Sequence, residues 1–99
     1  MKVHFTPRAR RRALAIAKWW RANRPAAPDL FERELDEVRR RLAEQPELGL
    51  VYEKVGDVVM RRVLLPKSEQ HLYWAVDKAT TSVIVYVIWG ARKGRGPRL

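Results

Sequence analysis

The side chains of this sequence that could act on a substrate are mainly cations, with a few groups able to exchange protons. Arg61 and Arg62, together with a basic C-terminal segment, could stabilise negative charge on a phosphodiester. His71 and the hydroxyl groups of Tyr73 and Tyr86 could transfer protons. These residue types suit chemistry on nucleic acid. However, a lone histidine at the start of a strand of mixed polarity is more often structural than catalytic.

Other common catalytic motifs are missing from the sequence. It has no Gly-rich phosphate loop, nucleophile elbow or His/Glu metal motif. With no cysteine and only His4 and His71, neither a metal nor another cofactor is expected. Six of the 11 acidic residues lie between Asp29 and Glu44, at helix-surface spacings beside arginines. That setting does not raise the pKa of a carboxylate, as general acid catalysis would require. Enzyme activity therefore stays an open question, and the sequence favours a protein without it.

The net charge of +10 is concentrated at the two ends of the chain. Residues 1–25 contain eight Lys or Arg and no acid, and residues 90–99 contain four and no acid. This asymmetry predicts a polyanionic partner, for which nucleic acid is the leading candidate, or an acidic protein segment. The alternative is a basic surface that is only solvated. The predicted target-binding or nucleic-acid-binding residues are Arg8, Arg11, Arg12, Arg92, Lys93 and Arg95.

Three runs rich in β-branched and aromatic residues predict strands at Val58–Leu65, Leu72–Val76 and Val83–Trp89. Their short connections predict an antiparallel meander. The last run is apolar on both alternating faces, so both faces need cover. If helices cover one face, a strongly curved sheet or a partner chain would cover the other. The stretch Glu47–Asp57 is predicted to be a connection leading into the sheet.

The first half of the chain predicts a short strand followed by two helices. Lys2–Phe5 favours a strand at an edge or beside the central strand. Thr6–Pro7 is typical of a helix start, and Asn23–Pro25 should end that helix. The second helix should begin at Asp29, with a capping-box-like acid three residues later, and end near Glu44. The short link between the helices predicts an antiparallel hairpin laid on the sheet.

The length of 99 residues fits one α+β domain spanning residues 1–99. Its longest apolar run has seven residues, far below the roughly 20 needed to cross a bilayer. No secretory apolar segment follows the basic N-terminus. A cytoplasmic protein without membrane contact is therefore expected. The residues 92–99, which contain glycine and proline among cations, are predicted to form a mobile basic tail.

Six segments occur in an order and at a spacing shared with one known family: Val3–Pro7, Asn23–Pro28, Leu42–Gly49, Arg61–Lys67, His71–Asp77 and Val83–Lys93. Together they resemble the RelE/ParE family of toxins from bacterial type II toxin–antitoxin systems. The resemblance implies an N-terminal strand and an antiparallel helical hairpin packed on a curved, mainly antiparallel four-stranded sheet.

The resemblance also implies a partner, a cognate antitoxin whose tail wraps the toxin in a hetero-oligomer and holds it inactive. The apolar sheet face and the groove of the helical hairpin are expected to bind it. The aromatic residues expected at this contact are Trp19, Trp20, Tyr73, Trp74, Tyr86 and Trp89.

The family divides by target. RelE-like members cut messenger RNA on the ribosome, using sheet cations, an arginine before the middle-strand aromatics, an arginine after the last strand and a Tyr or His in the tail. Here Arg61, Arg62 and Arg92 match basic positions of this kind. The middle-strand position is instead His71, and no Tyr or His follows Trp89.

ParE-like members poison DNA gyrase without an active site of their own, and this chain resembles them in its longer helical hairpin. Inhibition of gyrase is therefore the leading hypothesis. The first alternative is a ribosome-dependent endoribonuclease in which His71 transfers protons. The second is a non-toxic interaction module of the same fold.

Overall fold

The computed structural model describes all 99 residues as two helices and one five-stranded mixed sheet. The predicted α+β class is confirmed. Neither helix is long and apolar enough to cross a membrane. The sheet has the order β1-β5-β4-β3-β2, in which β1 runs parallel to β5 and the other neighbours are antiparallel. The elements are β1 (Lys2–Phe5), α1 (Pro7–Asn23), α2 (Leu30–Glu44), β2 (Leu50–Val55), β3 (Val58–Leu65), β4 (Gln70–Asp77) and β5 (Ser82–Gly90).

The predicted four-stranded sheet is wrong in its strand number, because the stretch Glu47–Asp57 contains the edge strand β2. This strand joins β3 through a two-residue turn at Gly56 and Asp57, and Gly56 has φ of +60°. Turns of this kind, with a left-handed glycine, match the twist of antiparallel strands. Most β2 side chains are exposed, so the strand lacks the apolar alternation that marks a half-buried strand.

The two helices begin in different ways. The Thr6 hydroxyl accepts the Ala9 N–H at 3.1 Å and donates to the Tyr86 carbonyl oxygen at 2.9 Å, which confirms the predicted start of α1 and anchors it to β5. Asp29 precedes α2, but its side chain accepts no capping hydrogen bond. Its carboxylate lies 3.3 Å from the Arg33 guanidinium instead, so the predicted capping box is wrong.

The main core lies between the helical hairpin and one face of the sheet. At its centre Trp74 is fully buried, and its indole N–H donates to the Pro46 carbonyl oxygen at 2.9 Å. Glu34 of α2 accepts the backbone N–H groups of Lys67 and Ser68 at 2.8 and 3.0 Å, which ties the helix to the turn between β3 and β4. The core side chains are Ala9, Ile16, Ala17, Phe31, Val38, Leu42, Leu65, Leu72, Trp74, Val83, Val85 and Ile88.

The opposite side of the sheet, here called the second face, carries a smaller apolar cluster. Its four buried members are Met60, Tyr73, Ala75 and Val87. The half-buried aromatic residues packed against them are Tyr52, Tyr86 and Trp89. Apolar packing therefore occurs on both sides of β5, as the two-sided apolar run predicts, and both clusters are built from this chain.

Candidate functional site

Strand register brings the candidate proton-transfer group and one arginine together on the second face. Arg62 pairs with Tyr73 across β3 and β4, and His71 pairs with Trp89 across β4 and β5. Because alternate residues of a strand share a face, all four side chains emerge on the same side of the sheet. They line a cavity of about 280 Å³, here called the second-face cleft. Its other lining residues are Gly90, Ala91, Gly94, Arg95 and Gly96.

Burial and charge favour the neutral form of His71. Partial desolvation lowers the pKa of the imidazole, and the nearby Arg62 cation lowers the pKa further. The His71 ring meets Tyr73 edge-on, with ring centroids 6.2 Å apart. The Arg62 guanidinium lies 5.2 Å from the centre of the Tyr52 ring. The cleft thus combines a neutral imidazole, which can accept a proton, with a fixed cation.

The other two residues of the predicted ribonuclease set lie elsewhere. Arg61 is the neighbour of Arg62 along β3, so it points to the opposite face, where it donates to the Glu47 carbonyl oxygen at 3.1 Å. Arg92 forms a bidentate ion pair with Glu69, in which both N···O distances are 2.8 Å. Neither residue lines the second-face cleft, so half of the predicted set is not assembled there. No three His, Asp or Glu side chains are grouped as a metal site requires.

The tail, residues 91–99, lies against the second face, and the mobility predicted for residues 92–99 stays a prediction. The Trp89 indole N–H donates to the Arg95 carbonyl oxygen at 2.7 Å. Gly96 lies so close to the Tyr52 hydroxyl that a β-carbon at this position would collide with it. Pro97 is buried. The tail therefore forms part of the wall of the second-face cleft.

The two acid-free ends of the sequence meet in a second concave surface, here called the basic hollow. Arg8, Arg11 and Arg12 of α1 and Lys93 of the tail line this cavity of about 350 Å³ together with Trp89. The Lys93 ammonium lies 4.2 Å from the centre of the Trp89 ring. The remaining lining residues are Ala15 and Ile88, so no carboxylate lines the hollow.

Most of the predicted target-binding residues are therefore neighbours in the structure. Four of the six line the basic hollow, and Arg95 lines the adjoining second-face cleft. Arg92 is the exception, because Glu69 neutralises it at the turn before β4.

The aromatic residues predicted to contact an antitoxin differ in exposure. Tyr73 and Trp74 are only 1% and 0% exposed because the chain's own core encloses them, so the prediction does not fit these two residues. Trp19 is 47% exposed and meets the Trp20 ring edge-on at 5.7 Å. The half-buried members of the set are Trp20, Tyr86 and Trp89.

A third concave surface, here called the hairpin groove, runs between α1 and α2 and measures about 510 Å³. Leu14 at its edge is 65% exposed, and sequence reasoning did not single it out. The groove has an apolar floor and a charged rim, a combination that suits an amphipathic segment. Its lining residues are Phe5, Arg10, Ala13, Leu14, Ala17, Phe31, Glu32, Leu35, Asp36 and Arg39.

Sequence reasoning also missed Tyr52 and Glu69. Tyr52 was hidden because its strand was predicted to be a connection, although Leu50–Val55 has strand-type composition and a two-residue Gly-Asp turn after it. Nothing in the local sequence marks Glu69 as the partner of Arg92, which is 23 residues away.

Comparisons of the chain with protein-family models, with characterised proteins and with solved structures gave no match. Its function is therefore inferred from the three surfaces described above, together with the resemblance carried by the sequence segments.

Proposed function

We propose that the chain is a ParE-like toxin of a type II toxin–antitoxin system, which inhibits DNA gyrase and replication in the cytoplasm. The observation that carries this proposal is the basic hollow, where cations from both ends of the chain meet without a carboxylate. An inhibitor that acts by binding needs a charged contact surface and no assembled active site. The separation of Arg61 and Arg92 from the second-face cleft agrees with such an inhibitor.

The same proposal assigns the hairpin groove to the cognate antitoxin. The groove combines the exposed Leu14 with a floor that includes Phe31, so an amphipathic helix could bury its apolar face there. An acidic antitoxin segment would also be attracted by the net charge of +10. In this proposal the hairpin and sheet form a RelE/ParE-like fold, and the inactive state is a toxin–antitoxin hetero-oligomer.

Incubation of the purified chain with gyrase, supercoiled plasmid and ATP tests the proposal. Linear DNA covalently linked to protein should accumulate and should be revealed after detergent and protease treatment. The cognate antitoxin should prevent its accumulation. A chain that arrests growth but produces no linked DNA at high excess over gyrase would contradict the proposal. A chain that does not arrest growth without antitoxin would instead be a non-toxic interaction module.

A second candidate, a ribosome-dependent messenger RNA endoribonuclease, is favoured by the pairing of Arg62 with a neutral His71 in the second-face cleft. Here Arg62 would stabilise phosphate charge while His71 accepts the proton of the attacking hydroxyl group and returns it to the leaving oxygen as the bond from that oxygen to phosphorus breaks. His71→Gln should then abolish cleavage of messenger RNA on translating ribosomes, whereas His4→Gln on the exposed edge strand should not. Full toxicity of the His71→Gln chain would exclude this candidate.

A further inference from the structure

Three concave surfaces adjoin one another around Trp89. The first is the basic hollow and the second is the second-face cleft. Between them lies a third hollow of about 550 Å³, lined by Trp89, Lys93, Gly94 and Arg95. Trp89 lines all three cavities, Lys93 is shared by the first and third, and Arg95 by the second and third, so the cavities adjoin and are together called the Trp89 groove.

The charge of the Trp89 groove has a single sign. No Asp or Glu lines any of its three parts, and the lowered pKa of His71 leaves that residue neutral. Arg8 at one end donates to the Arg98 carbonyl oxygen at 2.8 Å, which positions the guanidinium without neutralising it. The six cations that line the groove are Arg8, Arg11, Arg12, Arg62, Lys93 and Arg95.

This accumulation is not a general property of an arginine-rich surface. On the helical hairpin, arginines are paired with acids, as in the ion pair of Arg21 with Glu32 at 2.7 Å and that of Arg39 with Asp36 at 2.6 Å. Cations gathered without acids repel one another, and a bound anion relieves that repulsion more directly than the screening by dissolved salt does. The Trp89 groove is therefore suited to a ligand that carries several negative charges.

We propose that the Trp89 groove binds the phosphodiester backbone of nucleic acid directly, without reading the bases and without needing gyrase. Five of the six cations are arginines, whose planar guanidinium groups bind phosphate oxygens in pairs. Six cations distributed over three adjoining cavities fit repeating phosphates better than they fit one isolated phosphate. The Lys93 ammonium lies 4.2 Å from the centre of the Trp89 ring, so a phosphate that binds Lys93 would be held beside the indole.

An acidic peptide fits the groove less well. The apolar residues that line the groove are Ala15, Tyr73, Ile88, Trp89 and Ala91, and two of them, Tyr73 and Ile88, are buried, so few large apolar side chains are exposed there to anchor a peptide. Such anchors are concentrated in the hairpin groove instead. The two grooves therefore have different chemistry, and phosphate is the ligand class that matches the cationic one.

Binding of a labelled 20-base-pair DNA duplex and of its single strand, measured by fluorescence anisotropy from 50 to 200 mM salt, tests this proposal. The test variant is Arg11→Gln with Lys93→Gln in the groove, and the control is Arg41→Gln with Lys54→Gln outside it. All four side chains are exposed, and each variant lowers the net charge of +10 by two.

Each lost phosphate contact should reduce the slope of log affinity against log salt by about 0.9 for a duplex or about 0.7 for a single strand. Across this fourfold salt range, the groove variant should therefore lose less affinity than the unaltered chain, by about 12-fold for a duplex or about 7-fold for a single strand. The form that the unaltered chain binds more tightly, with the change of slope expected for that form, is the ligand.

Equal changes in the groove variant and the control would overturn the proposal, because net charge alone would explain both. It would also be overturned if neither DNA form bound at 50 mM salt, or if polyglutamate bound as tightly as DNA. Since the assay contains no gyrase, DNA binding without gyrase-linked cleavage would retain this inference and exclude the gyrase proposal. Gyrase poisoning without DNA binding would do the reverse.

Discussion

Gly49 lies directly before β2, where the backbone passes close to the Arg62 carbonyl oxygen and the Trp74 ring, and Gly49→Ala tests that close approach. Gly49 has φ of +82°, and a β-carbon there would lie 2.6 Å from the Arg62 carbonyl oxygen and 2.7 Å from the Trp74 ring. The carbonyl oxygen belongs to the sheet backbone, and the indole is fully buried and hydrogen-bonded to Pro46. Neither neighbour can swing away, so the added methyl group must displace β2 or the core.

The expected loss of stability has two parts. A left-handed backbone costs an alanine about 1–2 kcal/mol. Overfilling a packed site costs a further ~1–3 kcal/mol. The free energy of unfolding should therefore fall by about 2–5 kcal/mol, and for a domain of 99 residues each kcal/mol lowers the melting temperature by about 4–8 °C. A decrease of at least about 8 °C is expected.

The matched control is Gly56→Ala in the turn between β2 and β3. Gly56 also has a left-handed backbone, with φ of +60°, but a β-carbon there would have no neighbour within 4 Å. Only the conformational cost applies to it, so the two variants should differ by the packing term of about 1–3 kcal/mol. Thermal and urea unfolding followed by circular dichroism measure both. Equal losses of stability in the two variants would refute the close approach of Gly49 to the buried indole.

Three further changes test other parts of the structure. The pKa of His71 is lower in the folded state than in the unfolded chain, so the unfolded chain binds the proton more tightly. The contribution of His71 to the free energy of unfolding should be complete above the unfolded pKa of about 6.5 and should decline as pH falls toward the lowered value. The variant His71→Gln should flatten this decline in urea titrations between pH 7 and 5. Glu34→Gln weakens charged hydrogen bonds to the turn after β3 and should cost about 1–3 kcal/mol in urea unfolding, whereas Glu37→Gln, at an exposed site, should cost less than about 0.5 kcal/mol. The variant Gly96→Ala should displace the tail from the Tyr52 hydroxyl and so speed tryptic cleavage within the tail. The control Gly90→Ala adds a β-carbon with only ordinary contacts and should leave the cleavage rate unchanged.

The parts of the fold that sequence predicted correctly are those fixed by local chemistry. Thr6 followed by proline determines where α1 begins, and Pro25 determines where it stops, because each acts on the backbone next to it. The runs Val58–Leu65 and Val83–Trp89 have buried faces, so their composition and pattern were enough to identify strands. The strand Leu50–Val55 was missed because an exposed edge strand is not required to show such a pattern.

The candidate site was predicted less well because it depends on which residues share a face and which meet across the fold. Arg61 and Arg62 are adjacent in a strand, and the two-residue repeat of a strand already implies that they point in opposite directions. Sequence reasoning placed them together because both are cations and both match basic positions of the family, without applying that repeat. The pairing of Arg92 with Glu69 could not be predicted, because it requires the turn before β4 to lie beside the end of β5.

The meeting of the two basic ends follows from one topological feature, the parallel pairing of β1 with β5. In this pairing Phe5 lies opposite Val85, and the Thr6 N–H donates to the Val85 carbonyl oxygen at 3.0 Å. The helix α1 therefore begins beside the second half of β5, close to the point where the chain enters the tail. The sequence left the position of β1 open between an edge and a place beside the central strand, whereas in the structure it is both the edge strand and the neighbour of β5. An arrangement with β1 at the opposite edge would preserve every local pattern in the sequence but separate the two basic segments. The charge of the Trp89 groove is thus encoded by residue types, but its concentration in one place is produced by strand order.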